Sequence, residues 1–246
     1  MSKFRHMPRA TTDHRALASG EMITAHFHDE NQIIYASQGV LGVTTGQGMW
    51  VAPPMRALWI PKGAVHAHRA HGATELHLVG VSADVLDVTE PVVFSVAPLL
   101  KELIIRASHL KERAGWVHEL LCEEIAHAPR DSFHLPALRD PRLRALAAVF
   151  AADAGDPRSL DELAAEVHST ARTLSRLFRA EAGMTFPQWR NHVRLYQSLI
   201  LLSNGESVTR TAIQCGWATA SAFIDTFRRA FGYSPGRHLS AGAAGS

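Results

Sequence analysis

Two arginines in the second half of the chain have the type and spacing needed to bind a polyanion. Arg172 and Arg176 lie four residues apart, so on a helix their guanidinium groups project from one face. A guanidinium can donate two hydrogen bonds to O6 and N7 of guanine, or it can bind a phosphate without reading the sequence. We predict that Arg176 contacts a base. Arg179, closer to the end of the same helix, is expected to bind backbone phosphate or to form a surface ion pair.

Apolar residues around these arginines predict the helix that carries them. Thr170 can cap its first turn, and Gly183 is a typical helix terminator. Leu174, Leu177 and Phe178 fall on the side that would be buried. Burial of that side leaves a set of outward-facing candidates for DNA contact: Arg172, Thr173, Ser175, Arg176 and Arg179.

A similar pattern recurs 49 positions later in the chain. The six matched pairs are Thr170/Thr219, Arg172/Ser221, Leu174/Phe223, Phe178/Phe227, Arg179/Arg228 and Gly183/Gly232. A repeat at a fixed offset indicates one structural unit used twice, and we interpret each unit as a helix-turn-helix. The alternative is a plain helical bundle with chance similarity between two of its helices.

The second copy has a different set of outward-facing residues. Its candidates for DNA contact are Ala220, Ser221, Ile224, Asp225 and Arg228. Asp225 repels phosphate, although its carboxylate can accept a hydrogen bond from cytosine N4. Ile224 can contact a thymine methyl group, whereas Ser207, Arg210 and Arg228 suit phosphates. We therefore expect this copy to contribute less sequence specificity than the first.

A long helix is expected between the two copies. Its predicted buried face carries apolar residues at steps of three and four: Phe186, Trp189, Val193, Tyr196 and Ile200. Thr185 can cap this helix, and Asn204 and Gly205 would end it. In the short helix that follows, Ala212 and Ile213 are expected to face inward.

Composition and charge agree with this interpretation. The 246 residues are 46% hydrophobic and 20% charged, which is ordinary for a globular protein with a sizeable core. From Pro141 onward the chain has 12 Arg and 8 acidic residues, whereas residues 1–140 have 13 basic and 15 acidic ones. The excess of positive charge in the repeated half favours a nucleic-acid partner.

The sequence also bears on the cellular compartment. Two cysteines, Cys122 and Cys215, argue against a disulfide scaffold and fit a reducing cytoplasm. The N-terminus lacks the apolar run of a signal peptide, and no stretch reaches the ~18 apolar residues that a membrane span requires. We therefore expect a cytoplasmic protein without membrane contact.

The C-terminal part of the chain resembles the AraC/XylS family of bacterial transcription regulators. The matching segments are Ser159 to Ala164, Arg172 to Phe178, Gly183, Ile213 with Gly216-Trp217 and, most specifically, Phe223 to Pro235. This resemblance implies an all-helical domain in which two helix-turn-helix units, joined by a long helix, read the major groove of double-stranded promoter or operator DNA. The base-contacting positions of the family correspond to Arg172, Ser175, Arg176, Ser221, Ile224 and Asp225. Asp225 departs from the Arg that is frequent in the family, which argues against strong base reading by the second unit.

The first half of the chain has the period-two patterning of β-strands. Short runs such as MITAHF, QIIYAS, MWVAP and ELHLVGV are separated by turns rich in Gly and Pro, from about Glu21 to Val81. This pattern predicts a small antiparallel barrel or sandwich that is completed by residues 84–96, with residues 1–20 as a loose lead-in.

Histidine spacing inside the predicted barrel resembles the cupin superfamily. His26, His28 and Gln32 match the first cupin motif, with Gln in place of the usual Glu, and the segment Pro61 to His66 resembles part of the second motif. The resemblance implies a divalent metal bound by His26, His28 and His66, with Gln32 as a weak fourth ligand. Three imidazoles suit zinc, nickel, iron or copper. The alternative is a metal-free scaffold whose histidines line a pocket for an organic effector or are hydrogen-bonded in the wall.

Residues 97–128 return to helical spacing and form two amphipathic stretches. They can pack on the barrel, or they can present an apolar face to a second copy and so form a homodimer. Together the patterns divide the chain into a cupin-like barrel (1–96), a helical segment suited to dimerisation (97–128), a linker (129–140) and a DNA-binding domain (141–246).

The sequence as a whole predicts an α+β protein, in which a cupin-like antiparallel β-barrel precedes an all-α domain with two helix-turn-helix units. The function that fits best is a sequence-specific DNA-binding transcription regulator, an activator or a repressor, without catalytic residues. It would respond to a small-molecule or metal effector. One alternative is a cupin metalloenzyme, such as a dioxygenase, with an appended DNA-binding domain. A second alternative is an architectural DNA-binding protein with an inert barrel.

Overall fold

The computed structural model of the chain describes residues 4–82, 84–110, 115–131 and 133–237. They divide after Phe133 into a β-rich first unit and a helical second unit, so the α+β class is confirmed. This boundary falls within the segment 129–140 that was predicted as a linker. Among the described residues, no helix combines the length and the apolar character needed to cross a bilayer.

Strands predominate in the first unit, and one of the two longest, Asn31–Thr45, is buried along most of its length. Those in its described part are β1 (Arg5–Met7), β2 (Asp13–Leu17), β3 (Met22–His28), β4 (Asn31–Thr45), β5 (Gly48–Ala52), β6 (Arg56–Ile60), β7 (His66–Val81), β8 (Val92–Ser95) and β9 (Arg130–Asp131).

The two longest strands, β4 and β7, organise the sheet. They pair antiparallel with each other, and each changes its second partner halfway. The first half of β4 pairs with β6 and its second half with β5, whereas β7 pairs first with β3 and then with β2. Gly39 lies where the register of β4 shifts, with φ +74°, and a Cβ there would lie 2.5 Å from the carbonyl oxygen of Ala73. Only glycine fits this bend without strain.

The prediction of an antiparallel β-barrel is wrong in two respects. The described strands form an open path from β1 to β9, and β1 runs parallel to β3. The lead-in predicted for residues 1–20 is also wrong, because it contains β1 and β2. In β2 only Leu17 is fully buried, so no apolar alternation signals the strand. It is held by backbone pairing with Thr74–Leu78 of β7.

Two helices, α1 (Pro98–Ser108) and α2 (Trp116–His127), pack on the sheet within the first unit. Leu103 and Leu121 share one core with Tyr35 and Trp59, and all four side chains are buried. Part of the predicted linker also belongs to this unit, since β9 pairs with β8 and extends the sheet.

The second unit is built from helices. They are α3 (Pro141–Ala152), α4 (Leu160–Glu166), α5 (Ala171–Ala182), α6 (Phe186–Ser203), α7 (Val208–Gln214) and α8 (Ala220–Phe231), preceded by the short strand β10 (His134–Pro136). A further helical turn occupies residues 235–237 at the end of the described range.

The structure confirms the internal repeat, because α5 and α8 begin and end 49 residues apart. Thr170 and Thr219 cap the two helices by accepting backbone N–H bonds. Gly183 and Gly232 end them in the left-handed conformation, with φ of 67° and 80°.

The prediction of which residues face inward is wrong in part for α6 and for α7. The first half of α6 buries Phe186, Trp189 and Val193 as predicted. Its second half instead buries Leu195, Ser198, Leu199 and Leu202 in place of Tyr196 and Ile200. The buried stripe changes side because α6 contacts α3 and α5 at its start and α7 further on. Ile213, predicted to face inward, is 69% exposed, and the polar Thr211 is buried instead.

Candidate nucleic-acid interface and histidine cluster

Hydrogen bonds at the helix starts fix the first helix-turn-helix, α4 and α5. The backbone N–H of Ser159 donates to Glu162 Oε2 (2.7 Å), and the N–H of Glu162 donates to Ser159 Oγ (3.3 Å). The side chain of Thr170 accepts from the N–H of Thr173 at the start of α5. These bonds satisfy N–H groups that have no partner within a helix, and so define where each helix begins.

The apolar side of α5 anchors it to α6. Leu174 and Phe178 are fully buried, and the ring of Phe178 lies 5.4 Å from Phe186 and 5.2 Å from Trp189 between centroids. The opposite side faces solvent as predicted. Its exposed members are Arg172, Arg176 and Arg179, and its half-buried members are Thr173 and Ser175.

Some of the described arginines of the second unit are bound to carboxylates and others are not. Arg142 and Arg158 are bound to carboxylates, since Arg142 pairs with Asp140 at 2.8 Å and Arg158 with Asp156 at 2.5 Å. A different situation holds for the arginines of α5. Within the described ranges, the guanidinium groups of Arg172, Arg176 and Arg179 form no hydrogen bond or ion pair, so all three can bind an anion supplied from outside.

Two further arginines have a structural role in holding the loop between α3 and α4. Arg190 on α6 donates to the carbonyl oxygen of Arg158, and its guanidinium lies 4.4 Å from the centre of the Phe186 ring. Arg194, one turn further, donates to the carbonyl oxygen of Ala154 (3.3 Å). These half-buried side chains stabilise the first helix-turn-helix from the long helix behind it.

Among the described residues, the exposed side of α8 carries fewer arginines without a partner than the exposed side of α5. Ser221, Asp225 and Arg228 are exposed, whereas Ala220 and Ile224 are half-buried. The neighbouring Arg229 is turned back along its own helix, because its Nε donates to the carbonyl oxygen of residue 225 (3.3 Å). In the part of the chain that the structure describes, Arg228 has no such partner.

Aromatic packing holds α8 in place. The ring of Phe223 lies 4.8 Å from Trp217 and 5.6 Å from Phe227 between centroids, and Phe227 contacts Phe231 at 4.6 Å. This buried row fixes which residues of α8 face outward. The residues of α8 that were predicted to contact DNA therefore share one side of the helix, with Asp225 near its centre.

In the first unit, histidines converge where β3 meets β7. His26 lies opposite His66, with ring centroids 4.4 Å apart. Ile23 pairs with His68, so an unbroken register would set His26 opposite Val65; the register shifts by one residue between Ile23 and His26. Because such a shift turns a side chain to the other face, this bulge places His26 on the inward face shared by His66 and His68.

The cluster is compact and enclosed. One ring nitrogen each of His26, His66 and His68 lies within 4.8 Å of the other two, and all three residues are buried. His28 is adjacent, with its ring centroid 5.0 Å from that of His66. Among the four, His26 is the most accessible, with 7% of its surface exposed.

Backbone carbonyls set the tautomers of three of these histidines. The bonds run from Nδ1 of His26 to Thr24 O (2.9 Å), from Nδ1 of His66 to Ala64 O (2.9 Å) and from Nδ1 of His28 to Glu30 O. A carbonyl oxygen only accepts, so each Nδ1 carries the hydrogen and each Nε2 keeps a free lone pair. Metal-binding imidazoles are usually oriented in this way.

Burial favours the neutral form of the imidazoles. Desolvation lowers the pKa of His66 to about 3, against the opposing effect of its bond to Ala64, and it also lowers the pKa of His28. The pKa of His68 is lowered well below its usual value, first by desolvation and then by the neighbouring imidazoles. Neutral imidazole is the form that binds a metal.

Several nitrogens of the cluster have no hydrogen-bond partner among the described residues. They are Nε2 of His28, Nε2 of His66 and both ring nitrogens of His68. An unsatisfied buried polar group costs about 1–3 kcal/mol. The cluster is therefore better satisfied when a cation, or a ligand that donates hydrogen bonds, occupies the space between the rings.

The structure brings some of the predicted metal ligands together and not others. His26 and His66 come together, and His28 lies beside them. Gln32 donates from Nε2 to the carbonyl oxygen of Thr11 (2.9 Å), while its buried Oε1 has no partner in the described ranges. His68 was missed by the sequence prediction. Its spacing from His66 equals that between His26 and His28, and alternate residues of a strand share a face, so this signal was present.

Comparison with known families decides the class of protein. The family model described as an AraC-like ligand binding domain matches residues 14–182, and a helix-turn-helix domain model matches residues 163–241. The chain belongs to the AraC family of transcription regulators. It is a DNA-binding regulator that carries a ligand-binding domain ahead of its helix-turn-helix domain.

Individual relatives are transcription regulators as well. The regulator NimR of Escherichia coli K12 is 28% identical over 224 residues, which cover 87% of this chain and 81% of NimR. RipA of Corynebacterium glutamicum is 35% identical over 118 residues, covering 48% of this chain and 36% of RipA. Among solved structures, ToxT from Vibrio cholerae matches with a TM-score of 0.43 and 11% identity, covering 95% of this chain and 98% of ToxT.

Proposed function

We propose that this regulator recognises its operator chiefly by placing α5 in a major groove, with Arg176 bound to a guanine. The observation that carries the proposal is the contrast between the exposed arginines of α5, which bind no group of the described chain, and the carboxylate-bound Arg142 and Arg158. A helix fits the major groove, and an uncommitted guanidinium can bind O6 and N7 of guanine together. Arg172, Thr173 and Ser175 complete the contact surface, and Arg179 binds backbone phosphate.

The second recognition helix has a supporting role in this proposal. Arg228 binds phosphate, Ser221 and Ala220 allow close approach of the backbone, and Ile224 contacts a thymine methyl group. Asp225 limits phosphate binding at the centre of the helix because like charges repel. We therefore assign most of the sequence preference to the half-site that α5 occupies.

The first unit acts in this proposal by binding an effector and not by catalysis. The family model that spans it describes a ligand-binding domain, and the named relatives are transcription regulators. We also propose that the regulator works in the cytoplasm, where DNA is accessible and where its two cysteines, both free thiols, stay reduced.

Self-association through α1 and α2 is part of the same proposal. Leu99 is 50% exposed, Trp116 is 70% exposed, and Leu120, one turn after Trp116, is 36% exposed. Large exposed apolar side chains at a spacing of four residues form a patch that a second copy can cover. Leu103, by contrast, is buried in the core of the unit and is not part of this face.

Selection from random double-stranded DNA tests the proposal directly. The wild-type chain should enrich one motif, with at least one strongly preferred guanine, and should bind it at least about 1,000-fold more tightly than scrambled DNA at physiological salt. Failure to enrich any motif, with and without candidate effectors, would contradict sequence-specific binding. An enriched motif that Arg176→Ala retains unchanged would contradict the assignment of Arg176.

A further inference from the structure

The buried histidines bring together three ring nitrogens, one each from His26, His66 and His68, that can act as electron-pair donors. The carbonyl bonds of His26 and His66 leave the Nε2 of each ring unprotonated. One ring nitrogen of each of the three histidines lies within 4.8 Å of the other two. Lone pairs in such proximity repel unless something electron-deficient lies between them. No hydrogen-bond donor of the described chain fills that role for His66 or His68.

The distances fit a metal ion after a small adjustment. In tetrahedral coordination with metal–nitrogen bonds of about 2.0–2.1 Å, two ligand nitrogens lie about 3.4 Å apart. The three nitrogens here lie no more than 4.8 Å apart. Rotation of the imidazoles can close this difference while β3 and β7 stay paired. Since His26 and His66 sit on paired strands, the sheet itself holds two of the donors in position.

The donor set selects the class of cation. Magnesium and calcium bind oxygen ligands, whereas imidazole nitrogen suits zinc, copper, nickel and iron. Three histidines with an open fourth position form a known type of zinc site. His28, whose Nε2 is also free and whose ring lies 5.0 Å from that of His66, is positioned to approach the fourth position.

We propose that His26, His66 and His68 bind one divalent transition-metal ion of the zinc class, and that this ion is the effector of the regulator. The role as effector rests on the proposed DNA-binding function, whereas the metal site itself does not. The assignment replaces the predicted ligand set of His26, His28, Gln32 and His66 with one in which His68 is essential. His28 and Gln32 become neighbours of the ion.

A path exists within the first unit by which the ion can influence a helix. Strand β7 carries His66 and His68 at its start and His77 in its second half. Nδ1 of His77 lies 2.9 Å from Ser108 Oγ at the end of α1, and Nε2 lies 2.9 Å from Ser37 Oγ. A change in the position of β7 on metal binding would therefore reach α1 through a hydrogen bond.

Metal binding should be measured on the untagged, full-length chain after removal of metal by a chelator. Titration with Zn²⁺ against a competing chelator is expected to give one ion per chain, and Co²⁺ is expected to give the absorption bands of a four-coordinate site. Mg²⁺ should not compete. The fold is followed by circular dichroism in each case, and the melting temperature should rise with Zn²⁺ because a ligand that binds only the native state stabilises it.

His68→Leu is the decisive variant because it removes two unpartnered buried nitrogens and replaces them with an apolar side chain. We expect it to fold and to lose the thermal shift with Zn²⁺. Its affinity for Zn²⁺ should fall by more than about 100-fold, because loss of a residue that only hydrogen-bonds to a metal ligand already costs 10–100-fold. His71→Leu, on the same strand but outside the cluster, should bind Zn²⁺ like the wild type. His26→Ala provides a second variant should the first alter the fold.

Two results would overturn the proposal in distinguishable ways. Equal Zn²⁺ binding by wild type and His68→Leu, or no binding by either, would remove the metal site. Wild-type metal binding that leaves the Kd for DNA unchanged would remove the effector role, where we expect a change of about 5- to 150-fold. If DNA binding fails with and without metal while Zn²⁺ still binds, the proposed DNA-binding function fails and the metal site stands.

Discussion

The backbone of Gly216 lies so close to Gly155 that a Cβ on Gly216 would be 2.7 Å from the carbonyl oxygen of Gly155. Gly155 lies in the loop between α3 and α4, and Gly216 forms the turn between α7 and α8, so this contact joins the loop that leads into the first helix-turn-helix to the turn of the second. Gly216 also has a φ of +76°, which disfavours any residue with a side chain. The spacing of the two recognition helices depends on this close approach as well as on α6.

Gly216→Ala should therefore destabilise the helical second unit of the chain and weaken specific DNA binding. The left-handed conformation alone costs about 1–2 kcal/mol for alanine, and the contact with Gly155 adds to it. Gly205→Ala is a matched control, because Gly205 has a φ of +87° but nothing within 4 Å of its Cβ position. Urea unfolding followed by circular dichroism should show the larger loss for Gly216→Ala. Equal losses would mean that the contact between Gly216 and Gly155 does not contribute to stability.

The carboxylate of Asp156 stabilises the loop that leads into α4. It accepts hydrogen bonds from the backbone N–H of Arg158 (2.9 Å) and from its Nε (3.0 Å), and the side-chain bond of Arg158 is the main reason that the pKa of Asp156 lies below its usual value. A lowered native pKa means stabilisation that is present above the unfolded pKa of about 3.9 and is lost as the pH falls through the native value.

Asp156→Asn should thus cost about 1–3 kcal/mol of unfolding free energy at pH 7. The difference from wild type should shrink as the pH falls below about 4, because the carboxyl of the unfolded chain is then protonated, and should disappear as the pH falls through the lower native pKa. Unfolding free energies at pH 7 and pH 3 test this expectation. Asp161→Asn, at an exposed carboxylate in the first turn of α4, should cost less than about 1 kcal/mol at neutral pH. A difference that is the same at both pH values would contradict the role of the Asp156 charge.

Charge on α8 limits binding to phosphate. Asp225→Arg should tighten binding to all DNA sequences and make the slope of log K against log salt more negative by about 0.9 for one added phosphate contact. Ser221→Arg on the same exposed side provides a comparison with one added charge and no removed carboxylate. Binding titrations over a range of salt concentrations give the slope. Unchanged affinity and slope in Asp225→Arg would place α8 away from the DNA backbone.

The exposed face of α2 should control self-association. Trp116→Glu is expected to weaken a dimer by about 2 kcal/mol or more if the indole is buried between two copies, because large aromatic anchors dominate such interfaces. Glu119→Ala, on the same helix but with a polar side chain, serves as the control. Sedimentation velocity at several concentrations reports the association. A wild-type profile for Trp116→Glu, with intact circular dichroism, would exclude this face as the interface.

Local signals in the sequence were sufficient to predict where the helices of the second half begin and end. The ends of α5 and α8 follow from Thr170, Thr219, Gly183 and Gly232, because caps and left-handed glycines act through nearest neighbours in the chain. Ile213 was misplaced because burial follows packing geometry, and Thr211 occupies the inward position although it is polar. A pattern based on hydrophobicity alone favours the isoleucine.

Long-range pairing explains what the sequence did not predict in the first half. Strand β2 forms through backbone bonds to β7, which lies about 60 residues later in the chain, so its own side chains need carry no signal. His26 reaches the cluster only because the register shifts by one residue beside Ile23. No local pattern marks such a bulge. His68 was within reach of prediction, since it alternates with His66 on one strand.

Base reading by Arg176 is the central step of the proposed mode of DNA recognition. Its most direct test compares position-by-position DNA preferences of the wild type, Arg176→Ala and Arg144→Ala, the last being an exposed arginine on α3 with the same change in charge. Arg176→Ala is expected to lose about 1–3 kcal/mol on the best site and to lose preference at one guanine, while Arg144→Ala keeps the full motif. If both variants keep the same motif and weaken all sequences equally, Arg176 contacts only phosphate and the proposed mode of recognition is wrong.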